Sequence, residues 1–243
     1  MITLIGTGHV FNLSQALLNI FDEKQPEIFC VELDRQRFNA LLMKQNNPEK
    51  YKEAQKNLPA IYKMMAKFQE GMANEYGVTA GDEMLTTINY AKNHQLPVAF
   101  IDMNAQKLFS KMLKSMTFSE KFRLMISGFA GLFVSKKRVE KEMSKIDKDL
   151  DSYIDQVSKK FPTIKRILID ERNEYMVAQI AKAKEDYEKI VVIIGDGHVP
   201  GISKMLEEKK LEYETVRLSE IRNQTPAKGD SSTASFSMEY KGL

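Results

Sequence analysis

The sequence predicts an α/β fold: a mostly parallel sheet of about five strands, helices on both faces, and a large helical insertion between the third and fourth strands. Three observations predict it. The run Ile190-Val191-Val192-Ile193-Ile194 is β-branched and apolar throughout, as a strand buried on both faces must be. It stops at Gly195-Asp196-Gly197-His198, and Pro200 then pre-sets the first turn of a helix. The same order opens the chain, with Ile2-Thr3-Leu4-Ile5, then Gly6-Thr7-Gly8-His9-Val10, then an amphipathic run.

Taken in order, strand one covers residues 2–5. A helix follows His9, with Asn12 or Ser14 as its cap and Leu13, Leu17, Leu18, Ile20 and Phe21 as its apolar stripe. Pro26 ends it. Strand two covers residues 27–34, again apolar apart from its ends, so Glu32 is out of place there. Strand, helix and strand within this length form a βαβ unit, hence a parallel pair with a right-handed crossover. Residues 35–76 read as helix with a break at Asn46-Asn47-Pro48, and Asp82 caps a helix from Glu83 to about His94. Strand three covers residues 96–102. The helical insertion occupies about 104–188, with breaks near Thr117, Gly128 and Phe161-Pro162. Within it, residues 136–155 alternate charges around a thin stripe of Val139, Met143, Ile146, Leu150 and Ile154, a solvent-rich helix or helix pair, and the charged helices of 136–160 offer a homodimer surface. Strand four, a helix over 202–209 and a fifth strand over 213–218 follow. The domain therefore spans residues 1–221, and the Ser/Thr/Gly/Lys-rich stretch 222–243 reads as a flexible polar tail.

Composition narrows the function classes. A net charge of +3 with no basic, aromatic-interleaved stripe argues against nucleic acid. The single cysteine, Cys30, lies inside a strand and reads as a buried thiol in a reducing compartment. No apolar run reaches the roughly 18–20 residues that cross a bilayer, and the first residues lack the pattern of a signal peptide, so a cytoplasmic location is expected. Residues 124–134, followed by Lys136, Lys137 and Arg138, leave a peripheral membrane contact open beside the reading as a buried helix.

In an open parallel sheet, ligands sit beyond the carboxyl ends of the strands. His9, Glu32, Asp102 and His198 all fall at or just past such ends, and Glu83 starts a helix that enters from the same rim. Gly8 and Gly197 let the backbone approach a ligand. Two imidazoles with one or two carboxylates suit a divalent transition metal such as Mn, Co, Zn or Fe with open positions for water. A carboxylate not used as a ligand serves as general base. Each residue also has a structural reading. Glu32 pairs with Arg35 or Arg37, Glu83 is a first-turn helix acid, and Asp102 caps the helix from Ala105. His94 reads as a surface residue at a helix C-terminus. In the helix after Pro162, a stripe through Ile164, Ile167, Leu168, Glu171, Tyr175 and Ala178 faces the core, with Arg172 on its edge. Arg172 then either forms an ion pair with Glu32 or Asp34, or binds substrate and stabilises an oxyanion.

Gly6-Thr7-Gly8-His9-Val10, Val31-Glu32-Leu33-Asp34 with Arg37, Gly81-x-Glu83-Met84, Asp170-Glu171-Arg172 with Met176, and Gly195-Asp196-Gly197-His198-Val199-x-Gly201-Ile202 resemble, in order, the motifs of the TraB/PrgY/GumN family. That family is similar to the Tiki proteases, the erythromycin esterases and a haem-binding lipoprotein group. The resemblance implies a metal-dependent protease or hydrolase acting on peptide or amide bonds, with a role in inactivating peptide pheromone signals. It implies His9 and His198 as the motif histidines and Glu32 as the motif acid, with Glu83, Arg37 and Arg172 at further polar motif positions. Where the family often has Asp-Arg after the third strand, this chain has Asp102-Met103. The alternative it leaves open is a non-catalytic peptide- or haem-binding regulator using the same cleft.

Overall fold

The structure, a computed structural model, describes residues 1–8, 13–56, 81–131, 156 and 158–224. His9, Asn12, the charged stretch 136–155 and residues 225–243 of the expected tail lie outside the described residues. The elements are β1 (Ile2–Thr7), α1 (Ser14–Lys24), β2 (Ile28–Val31), α2 (Arg35–Asn46), α3 (Pro48–Lys56), α4 (Asp82–Asn93), β3 (Val98–Phe100), α5 (Ala105–Ser115) and α6 (Phe118–Gly131). They continue with α7 (Pro162–Lys165), a π-helical stretch (Arg166–Asp170), α8 (Glu171–Asp186), β4 (Ile190–Gly195), a 3₁₀ turn (Asp196–His198), α9 (Val199–Glu208), β5 (Tyr213–Val216) and α10 (Leu218–Gln224).

The expected α/β architecture is present as one parallel sheet in the order β3-β2-β4-β1-β5. The chain winds outward from β1 to β2 and β3, then returns to insert β4 between β2 and β1. Helices α1, α4 and α10 bury Leu17, Phe21, Met84 and Ile221 against Ile5, Phe29, Val191 and Ile193 on one face. Helices α8 and α9 bury Met176, Ile180, Ile202 and Leu206 against Leu4, Cys30, Val192 and Ile194 on the other. Burial on both faces is why these strands are apolar without alternation. It also pushes the Cys30 thiol up to about 12, so the cysteine is inert.

Several boundaries differ from the sequence reading for local reasons. Strand β2 ends at Val31, because the Leu33 N–H turns back to the Val31 carbonyl (2.7 Å) and makes a three-residue turn centred on Glu32. Leu13 rather than Ser14 is the cap residue of α1, and Ser14 Oγ meets Thr86 Oγ1 at 3.1 Å. Gly81, at φ 96°, takes the cap position of α4, and Asp82 is its first helical residue. The cap of α5 is Asn104, whose side chain accepts from the Lys107 N–H at 3.0 Å; Asp102 is committed elsewhere.

Helix α6 is pinned to α7 by its one acid. The Glu120 carboxylate accepts from the N–H of Thr117 (2.9 Å) and of Thr163 (2.8 Å), and from both threonine hydroxyls at 3.0 and 2.9 Å. Burial pushes this carboxyl up, but the four donors outweigh it and hold it at about 2. A carboxylate lowered on folding contributes stability above its unfolded value and loses it as the pH falls through the folded value. Urea unfolding followed from pH 5 downward is therefore expected to show wild-type stability declining between the ordinary 4.5 and about 2. Glu120→Gln is expected to lower stability at neutral pH and to flatten that decline. An unchanged acid profile in the variant would contradict the assignment.

Candidate functional site at the carboxyl ends of β1, β2 and β4

Strand β4 is flanked on both sides by strands whose following helices leave for the opposite face. Helix α1 after β1 packs with one core cluster, and α9 after β4 packs with the other. This divergence opens a crevice at the carboxyl ends, where doubly wound sheets bind ligands. The register pairs Thr7 with Gly195, so the two Gly-x-Gly-His segments leave the sheet from adjacent strand ends. Gly8 is the last described residue of the first segment; His9 itself lies outside the described residues.

Around this crevice the structure assembles a buried ionic cluster from three sequence-distant segments. The turn after β2 aims Glu32 towards β4, where its Oε2 accepts the Gly195 N–H at 2.6 Å. Glu32 Oε1 pairs with Arg172 Nη2 and lies 3.6 Å from His198 Nε2. Arg172 also donates to both Asp102 oxygens, at 3.0 and 2.8 Å, and to the Leu168 carbonyl at 3.2 Å. Arg37 bridges Asp102 and Asp34, and its Nη2 approaches the Glu32 carbonyl at 3.4 Å. Asp34 in turn caps α2 through the N–H groups of Gln36 and Arg37. Three carboxylates against two guanidiniums leave one net negative charge.

Arg172 therefore forms an ion pair with Glu32 rather than lying free, and Asp102 is a partner of two arginines rather than a helix cap. The π-helical stretch explains the placement. The Glu171 N–H reaches the Arg166 carbonyl, five residues back, so one extra residue enters the turn and rotates everything after it. Tyr175 and Ala178, expected on the core face, are exposed, and Asn173, Met176, Val177 and Ile180 are buried instead. Glu171 sits at the rim between Lys111 and Arg166.

Asn173 is the functional-site residue that periodicity missed. It is 1% exposed, and its Oδ1 meets His198 Nδ1 at 2.6 Å. A proton on Nδ1 satisfies the amide oxygen, and that tautomer leaves the Nε2 lone pair on the side of Glu32. Burial pushes the pKa of His198 down by more than Glu32 and Asp102 pull it up, so the ring is neutral at neutral pH. Burial pushes the Glu32 carboxyl up, but His198, Arg172 and the Gly195 amide draw it below its ordinary value, and it is ionised. Asp102 follows the same logic through Arg172 and Arg37.

The glycines have a different use from the one expected. Gly81 is the described glycine with positive φ; Gly195 has φ −59°, and Gly197 lies in the 3₁₀ turn. What Gly6 and Gly201 supply is room: a Cβ at Gly6 would overlap the Asp196 carboxylate, and one at Gly201 the Asn173 amide. Asp196, a second residue missed by the sequence reading, forms a two-point pair with Arg217 at 2.9 and 2.8 Å and accepts the Leu218 N–H. That pair ties the second Gly-x-Gly-His turn to the end of β5. Glu83 is 4% exposed in the first turn of α4, at the carboxyl rim on the side opposite α8. His94 is exposed at the end of α4, as expected. A polar depression of about 530 Å³ between Gln36, Asn104, Lys107 and Lys111 adjoins α2 and α5 but is lined by no member of the ionic cluster.

For a metal, the described residues offer His198 Nε2 and Glu32. The proton on Nδ1, held by Asn173, is the arrangement that leaves a ligating imidazole oriented and basic. The cluster's surplus negative charge also suits a cation. These are two candidate donors, and among the described residues no group of three or more His, Cys, Asp or Glu side chains converges on one point.

Two comparisons bear on this chain. The model of the TraB/PrgY/gumN family matches residues 1–215. A protein of Methanocaldococcus jannaschii, the uncharacterized protein MJ1365, is 30% identical over 227 residues, covering 87% of this chain. The match spans 54% of that relative, so the chain corresponds to about half of its length.

Proposed function

From its membership of the TraB/PrgY/gumN family, to which this chain belongs, we propose that it is a metal-dependent hydrolase of peptide or amide bonds. The observation that carries this reading is the pairing of a neutral, Asn173-oriented His198 with the ionised Glu32 at the ends of adjacent strands. In this reading His198 and Glu32 hold the metal together with His9, whose segment follows the strand next to β4. A bound divalent transition metal supplies Lewis acidity, polarising an amide carbonyl and acidifying water.

The protein's own groups have distinct tasks. Asn173 keeps the proton of His198 on Nδ1, so that Nε2 faces the crevice. Arg172 has its donors on Glu32, Asp102 and Leu168, and acts by holding Glu32 ionised and in place. Arg37, about one third exposed, is the guanidinium that reaches the surface to meet a peptide carboxylate or carbonyl. Glu83, at the same rim, serves as the general base. Gly8 and Gly197 border the position where the scissile bond lies. Inactivation of a peptide signal is the biological use that the family membership favours.

A regulator that binds peptide or haem without turnover is the second reading, favoured by the engagement of both Glu32 oxygens, with Arg172 and with the Gly195 N–H. Elemental analysis of protein purified without added metal, followed by a peptide-library digest, separates the two. The expected result is stoichiometric Mn, Co, Zn or Fe and cleavage that stops with chelator. No metal uptake at neutral pH rejects the hydrolase, and a Soret band on reconstitution replaces it with haem binding.

A further inference from the structure

Helix α6 faces the wrong way for a helix of a globular protein. Its only acid, Glu120, is 3% exposed and bonded to Thr117 and Thr163. At 100° per residue, Phe118, Phe122 and Met125 lie on the far side from Glu120. Phe118 is 85% exposed, Phe122 and Met125 are 52%, and Ile126 is 51%. Of the eight large apolar side chains exposed among the described residues, these four share one side of this helix, so the patch is contiguous rather than scattered. The polar side is anchored and the apolar side is presented outward.

We propose that this face of α6 inserts into the interface of an anionic phospholipid membrane. Lys121 and Arg123, both exposed, flank the apolar stripe on either side, where their charges meet lipid phosphates while the rings lie among the acyl chains. The helix has no exposed acid, so a second copy packed face to face brings basic edges together with no acid of this helix to neutralise them. Charge complementarity therefore selects the lipid surface over self-association. No described helix is long and apolar enough to cross the bilayer, so the contact is peripheral. This inference stands independently of the hydrolase reading.

The chain has no tryptophan, which makes Phe122→Trp a lone reporter. With vesicles of phosphatidylglycerol and phosphatidylcholine, its emission is expected to shift to the blue and to be quenched by brominated acyl chains. Both effects are expected to weaken in high salt and in phosphatidylcholine alone. In co-sedimentation, Phe118→Ser with Phe122→Ser is expected to lower the vesicle-bound fraction constant by about tenfold or more. Lys121→Glu is expected to weaken it several-fold with an unchanged unfolding midpoint. An unmoved emission with the anionic vesicles overturns the proposal. So does a dimer in light scattering that the serine variant dissociates while vesicle binding is unaffected.

Discussion

Replacing Arg172 with leucine is expected to destabilise the protein by about 3–5 kcal/mol, because it leaves buried Glu32 without a counter-ion and Asp102 with Arg37 alone. Glu32 and Asp102 keep side-chain exposures of 11% and 2%, so water cannot take over the lost contacts. Urea unfolding at neutral pH measures the loss. The sign of its pH dependence is fixed. In the wild type both carboxyls lie below their ordinary values, so their contribution is present above those values and is lost as the pH falls through the folded ones. Without Arg172 both carboxyls rise, the unpaired charges are removed by protonation, and the gap between variant and wild type narrows on acidification. Arg37→Ala removes a guanidinium that is 36% exposed, and its cost is expected to stay near 1 kcal/mol. A loss below about 1 kcal/mol for Arg172→Leu would show that the cluster is not a buried ionic unit.

Metal affinity separates the two residues of the His198–Asn173 pair. Under the proposed function, His198→Ala removes a ligand and is expected to abolish detectable uptake and cleavage. Asn173→Ala leaves every ligand in place but releases the ring from its Nδ1 partner, and removal of such outer partners typically costs about 10–100-fold in affinity or activity. Asn173→Asp restores an acceptor and is expected to recover most of the loss. Competition titration with a chromogenic chelator reads all three variants, and circular dichroism confirms that each is folded. If Asn173→Ala binds metal as tightly as the wild type, the hydrogen bond at 2.6 Å is structural only.

The strands, the parallel sheet and the carboxyl-end position of Glu32 and His198 were legible because each depends on local pattern. An unbroken apolar run reports two-sided burial, and an acid closing such a run is visible as an exception. Asn173 was not legible, since a polar residue in a charged helix is unremarkable and the extra residue of the π turn has no periodic signature. The same turn put Glu171 on the expected core face, when rotation by about one residue gives that place to Arg172 and Asn173. Asp102 looked like a cap because it precedes a helix; only tertiary proximity reveals two arginines competing for it.

Because β4 lies between β1 and β2, which share no ladder of their own, the first half of the polypeptide cannot complete its sheet. A nascent chain still tethered to the ribosome holds two strands with open edges and waits for residues synthesised some 160 positions later. Such high contact order implies slow folding and a late, all-at-once assembly. The half-translated molecule therefore holds Glu32 with neither His198 nor the Gly195 N–H beside it.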